Sequence, residues 1–295
     1  MPVTILISNI LGRSFQLMVV LLFFMGCPES TSTERHEEKS TSNNKGIELK
    51  IDNPRELPKS LREVSGLHYS EQLGICAIND EKGRIYLLDS VDFSIREKLD
   101  FAGKDDYEAL TAMNDTFYCL NSGGKLFRIH SQDKDTLALI DQEYIYNLPY
   151  GCETEALASN GDDLFTICKT QWLRKDYKLF RIKQSASRNF SAEEFMDWTV
   201  VLNEFMKAKG YSAFSVHPTE LFFDPELKYW VLLSTKPSSL FIIDLQGDLI
   251  FGTLLIENDW PQPEGFTKLG PNGSYLISSE GKKAGLIANM TLVRK

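Results

Sequence analysis

From Leu57 onward, short apolar runs ended by polar turns recur along the chain in two patterns that stay in phase. The first is rich in β-branched and aromatic residues and predicts strands at Gly74 to Asn79, Thr116 to Asn121, Asp163 to Lys169, Tyr229 to Ser234 and Ser274 to Ser279. The second predicts a further strand after each: Arg84 to Leu88, Lys125 to Ile129, Lys178 to Ile182 and Ser239 to Ile243, with a degenerate copy near Gly285-Leu286-Ile287, as is common in terminal repeats. Ahead of each pair stands a phrase that sets a small polar or acidic residue before Gly or Ala and then Leu or Phe. The copies are Ser65-Gly66-Leu67, Glu108-Ala109-Leu110, Glu155-Ala156-Leu157, Ser212-Ala213-Phe214 and Glu264-Gly265-Phe266. They recur about every 43 to 57 residues, in or near the range of propeller blades rather than helical solenoids. The expected fold class is therefore all-β, a five-bladed β-propeller over residues 47–295, with Glu48 to Ile51 closing the ring as an outer strand.

Ser191 to Gly210 breaks the strand rhythm. Ser191 can cap, Glu193 and Glu194 fall in a first turn, and Phe195, Trp198, Leu202 and Phe205 recur at helical spacing. A helical insertion packed on the core is expected here, with a lid or partner surface as the alternative.

The chain opens differently. Leu17 to Met25 is an unbroken apolar run, preceded by Arg13 and followed by Gly26-Cys27, the layout of a bacterial lipoprotein signal over residues 1–26 with lipid attachment at Cys27. The run is too short to cross a hydrocarbon layer of about 30 Å. A longer reading, Ile5 to Met25, makes an uncleaved anchor. Phe24 and Met25 stand where lipoprotein signals favour Leu and a small residue. Both readings export the rest of the chain to the cell envelope, attached to a membrane. Pro28 to Asn44 holds no aliphatic or aromatic residue, so residues 27–46 are expected to be a flexible tether.

The net charge of −9 disfavours nucleic acid as a partner and is compatible with cation binding. In a meander blade, the start of the first strand and the end of the second lie at the same end of the propeller. Glu108, Glu155 and Glu264 on first strands should therefore meet Asp80, Glu81, Lys169 and Glu280 at one channel mouth. Glutamates about 6 Å apart repel by roughly 3 kcal/mol per pair at an effective dielectric of 20. Lys169, water, protonation, backbone amides of neighbouring blades or a bound hard cation could relieve that repulsion. Oxygen ligands suit calcium, with Glu108, Glu155 and Glu264 as first ligands, Asp80 and Glu280 in support, and Lys169 either neutralising the site or meeting an anionic ligand. His36, His68, His130 and His217 form no close-spaced pair, which argues against zinc. Cys152 and Cys168 fall in one blade and are the pair to check for a disulfide; free buried thiols are the expectation for Cys76, Cys119, Cys152 and Cys168 alike. No phosphate loop or nucleophile motif stands out.

Several of these segments together resemble the SdiA-regulated family, calcium-regulated and phytase-like β-propellers. They are Leu57-Pro58, Glu63-Val64-Ser65-Gly66-Leu67, Asn79-Asp80-Glu81-Lys82-Gly83, Asp106-Tyr107-Glu108-Ala109-Leu110, Gln262-Pro263-Glu264-Gly265-Phe266 and Ser279-Glu280. The resemblance implies five blades, an exported or membrane-attached location and a calcium connection. Ala109 and Ala156 depart from the family's usual Gly and imply a narrower pocket. The expected function is an exported, membrane-tethered binding module for a divalent cation or small ligand. Its rivals are a calcium-assisted phosphoesterase, needing Lys169 to contact phosphate, and a protein-interaction scaffold, needing an exposed insertion.

Overall fold

Near-continuous apolar runs between polar turns give this chain strands buried on both faces, and here each sheet covers its faces by packing between two others. The computed structural model describes residues 46–294, apart from 134–135, 171–174, 186–188 and 271–273. The expected signal segment, Cys27 and the tether up to residue 45 lie outside the described residues.

Antiparallel meanders follow one another. The first is Val64–Ser70, Gly74–Asn79, Lys82–Leu88 and Ile95–Asp100. The second is Tyr107–Met113, Thr116–Asn121, Lys125–Asp133 and Thr136–Tyr146. The third is Glu153–Ser159, Leu164–Thr170, Lys178–Gln184 and Phe190–Asp197. The fourth is Pro218–Asp224, Tyr229–Thr235, Ser238–Asp244 and Leu249–Leu254. The last joins Gln262–Leu269, Ser274–Glu280 and Leu286–Arg294 to Ile47–Ile51 from the other end of the chain. A short parallel pairing of Ile145 with Phe190 links the second and third meanders into one sheet.

Each first strand neighbours the next, and that of the last meander neighbours that of the first. The core is divided accordingly. Separate apolar clusters lie between successive meanders, for example Ile85 with Phe127, Leu120 with Phe180, Phe165 with Trp230, and Val231 with Tyr275. Another, Ile75 with Leu276 and Ile287, closes the circle. Radial repetition of four-stranded sheets about a central channel defines a β-propeller.

The stretch after residue 190 is not one helix. Phe190–Asp197 is the outer strand of the third meander, paired with Lys178–Gln184, and the helix runs only from Thr199 to Ala208, with Trp198 rather than Ser191 at its N-cap. Trp198, Leu202 and Met206 are fully buried, and Phe205 meets Phe241 edge-on at 5.4 Å. The helix is thus a packed insertion. Among the described residues no helix is long and apolar enough to cross a membrane.

The fourth phrase is also displaced. Ser212-Ala213-Phe214 lies in the turn after the helix, and the fourth first strand starts with Pro218-Thr219-Glu220-Leu221. Strand register locates the true repeat. In every meander one residue is skipped as a β-bulge: Ser65, Glu108, Glu155, Thr219 and Glu264. The next residue is Gly66, Ala109, Ala156, Glu220 or Gly265. Backbones approach closely there. A Cβ on Gly265 would stand 2.2 Å from Ser278 Oγ and 2.7 Å from Leu67 Cγ. Gly265→Ala should therefore lower stability by about 1–3 kcal/mol through overpacking, read as a lower urea midpoint. An unchanged midpoint would mean the strands part easily at this level.

Candidate functional site

A bulge re-aims the side chain it carries, and here it separates two jobs. Ser65 Oγ donates to Tyr107 O at 2.7 Å and Thr219 Oγ1 donates to Pro263 O at 2.6 Å, each tying its strand to the next meander. The glutamates Glu108, Glu155 and Glu264 at the same position instead share one mouth with groups from second-strand ends.

The electrostatics show that the expected residues converge. Burial pushes Glu108 up to about 9, and the charges of Glu155, Asp106 and Asp80 act in the same direction. Burial pushes Glu155 up to about 7, partly offset by Lys169, whose ammonium donates to Glu155 Oε1 at 2.5 Å. Glu264 is well above the carboxylate range through burial, then the charges of Glu280, Glu108 and Glu155. Burial, with Asp80 and Glu63, takes Glu280 to about 7, and Gln262 Nε2 donates to its carboxylate. Burial with Glu63, Glu81 and Asp106 takes Asp80 to about 6. Burial opposes the charge on Lys169, but Glu155, Glu264 and Glu108 outweigh it and hold the ammonium above its ordinary value. Glu81 itself is exposed in the turn after Gly74–Asn79.

One acceptor of the mouth is orphaned. Asp80 Oδ1 is buried with no hydrogen-bond partner, a state that costs about 1–3 kcal/mol unless something donates to it. Carboxylate oxygens are the donors a hard cation takes. Among the described residues, however, no three His, Cys, Asp or Glu side chains are gathered as ligands, and Glu155 is turned onto Lys169. The mouth therefore has the right oxygens without a preformed cage.

The cysteine expectation needs correction. Cys152 and Cys168 form a disulfide with Cα atoms 5.2 Å apart, because the register pairs Thr154 with Cys168 and brings the turn at Cys152 alongside. The bond fastens the entry to the Glu155 strand onto the strand that carries Lys169. Cys76 and Cys119 are buried free thiols. His68 lies on a first strand, edge-on to Phe117 at 5.9 Å and pushed down to about 4 by burial; His217 immediately precedes the fourth first strand, with its backbone N–H donating to Ser234 Oγ.

Sequence reasoning missed Glu220. Its carboxyl fills the slot that is Gly or Ala elsewhere and accepts from Leu221 N–H at 2.9 Å and Phe266 N–H at 3.4 Å. Burial holds it well above the carboxylate range, against those donors and Leu67 N–H. The Leu or Phe that closes a phrase was readable; it is buried at Leu67, Leu110, Leu157 and Phe266 but exposed at Phe214, and Thr219-Glu220-Leu221 carries the same buried ending.

No family model matches the chain, and no curated protein matches it in sequence. Among solved structures it is similar to the PQQ-bound aldose sugar dehydrogenase of Streptomyces coelicolor, with TM-score 0.50 and 9% identity over 84% of this chain and 99% of that one. It is also similar to the glutaminyl cyclase of Myxococcus xanthus, with TM-score 0.55 and 11% identity over 83% and 97%. At such identities the similarity concerns the fold alone.

Proposed function

We propose that the chain is a five-bladed β-propeller of the SdiA-regulated type. In this reading it is exported, held to the bacterial cell envelope through a lipid on Cys27, and serves as a binding module whose acidic mouth takes a divalent cation, calcium by its oxygen chemistry. The observation that carries the reading is the orphaned acceptor Asp80 Oδ1, beside carboxyls whose proton affinity burial and then one another's charge raise. Glu108 and Glu264 would bind with Asp80 and Glu280 in support, and Glu155 would join on leaving Lys169. A cation supplies there the charge that protons supply in its absence.

The phosphoesterase reading needs the Lys169 ammonium for phosphate, and in this structure that ammonium is held by Glu155. The scaffold reading keeps only part of its surface: Trp198, Leu202 and Met206 are packed on the core, while Phe195 and Val200 are exposed. The test is the thermal midpoint of the full chain in calcium against chelator, for wild type and Glu264→Gln. Calcium should raise the wild-type midpoint, by about 2.7 kcal/mol of stabilisation at a hundredfold excess over Kd, and E264Q should lose most of the gain. A wild-type midpoint indifferent to calcium contradicts the reading.

A further inference from the structure

The first strands run from the acidic mouth to the opposite end of the channel, and that end holds a cavity of about 500 Å³. This volume is in the range of small-molecule sites. Its deep end is at the level of the phrases, where Leu67, Leu110, Leu157, Leu221 and Phe266 contribute to the lining. The half-buried Tyr69, Met113, Phe222 and Phe223 line it further out, and the surface is more apolar than polar.

Its charged groups are of one prevailing sign. Glu220 contributes to the deep end and is 2% exposed. Glu71 and Glu226 stand exposed at the rim. Lys268 is already held by Asp224 at 3.1 Å and Glu226 at 2.8 Å, and burial keeps the His68 imidazole uncharged at neutral pH. The Glu220 carboxyl receives only backbone N–H groups, from Leu221 and Phe266, with Leu67 N–H adding to them. These donors favour the ionised form, yet burial outweighs them. A cation brought into the cavity would let the Glu220 carboxyl ionise, whereas an anion would meet Glu71 and the surplus charge of Asp224 and Glu226 over Lys268.

We infer that this cavity is a second ligand site, separate from the acidic mouth, and that it takes a small organic amine: the ammonium reaches the Glu220 carboxyl and the apolar body lies against Tyr69, Met113, Phe222 and Phe223. The apolar and aromatic lining suits the body of such a ligand, and leaves its charge to Glu220. Binding moves one proton: the neutral Glu220 acid loses it to solvent as the protonated amine arrives, and no bond in the ligand changes.

The experiment uses the full chain at pH 7.5, with phenethylamine and cyclohexylamine as probes and 2-phenylethanol as the neutral control, followed by calorimetry in two buffers of different ionisation heat. Both amines should bind wild type with release of about one proton, the alcohol should bind at least tenfold more weakly, and Glu220→Gln should weaken the amines at least tenfold. Amine binding unchanged in E220Q places the amine elsewhere, the acidic mouth included, and overturns the inference. So does equal binding of amine and alcohol, or no response to either amine at millimolar concentration. Should E220Q fail to fold, the wild-type proton count decides: amine binding without proton release is a refutation.

Discussion

Lys169→Met should destabilise the protein by about 3 kcal/mol at pH 8, because removing one partner of a buried ion pair strands the other. Glu155 is 6% exposed and Lys169 23% at the side chain, so little water is at hand to replace the ammonium. The loss reaches beyond the pair. Lys169 also lowers the proton affinity of Glu108 and Glu264 and, after Arg62, that of Glu280, so all of these carboxyls bind protons more tightly without it. For a domain of this size the thermal midpoint should fall by roughly 6–12 °C at pH 8, and by less at pH 5, where the carboxyls are protonated in any case. Equal losses at the two pH values would mean that Lys169 acts through packing and not through charge.

Stability should fall steadily from pH 5 to pH 9. Glu108 at about 9, Glu155 and Glu280 at about 7 and Asp80 at about 6 all lie above the ordinary values near 4 that an unfolded chain has. Between those limits the folded state holds more protons than the unfolded state, so the slope of unfolding free energy with pH is negative. Their contribution is complete below about pH 4 and is lost as pH rises through the folded values. Each proton of difference is worth about 1.4 kcal/mol per pH unit. Counting one net proton over three units, to allow for solvent screening of the half-exposed Glu108, Glu280 and Asp80, gives on the order of 4 kcal/mol. Asp105 and Asp224 are held below the ordinary range; burial opposes this, and hydrogen bonds from Asp106 N–H and Asn121, and from Tyr275 and Leu227 N–H, outweigh it. Their contribution is lost in acid, which sets the optimum near pH 5. Urea midpoints at pH 5, 7 and 9 check this, and a flat profile would contradict it.

The repeat was readable because strands in a ring must satisfy the same local rules each time. Thr116 to Asn121 and Ser239 to Ile243 carry the apolar run that burial on both faces demands, and the strands form there. The fourth phrase was not readable, because what repeats from meander to meander is a bulge and not a residue type. Thr219 replaces the acid, Glu220 replaces the small residue, and Ser212-Ala213-Phe214 imitates the composition a few residues too early. The outer strand Phe190–Asp197 was hidden by Glu193 and Glu194, which suit a first helical turn but here face Arg181 and Lys178 across the sheet. For Cys152 and Cys168, spacing placed both in one blade but could not say that strand register would bring them together. The acidic mouth was legible for a topological reason: first-strand starts and second-strand ends share one end of any such meander, so Glu108, Glu155, Glu264, Lys169, Asp80 and Glu280 were bound to meet. Which of them pair was not, because the link between Lys169 and Glu155 depends on side-chain reach.

The central claim is that the acidic mouth exchanges protons for a cation. Calorimetric titration of the full chain with calcium at pH 6.5, in two buffers of different ionisation heat, tests it most directly. The account predicts saturable binding with release of at least one proton per ion; the absence of binding at millimolar calcium, or binding with no proton released, would contradict it.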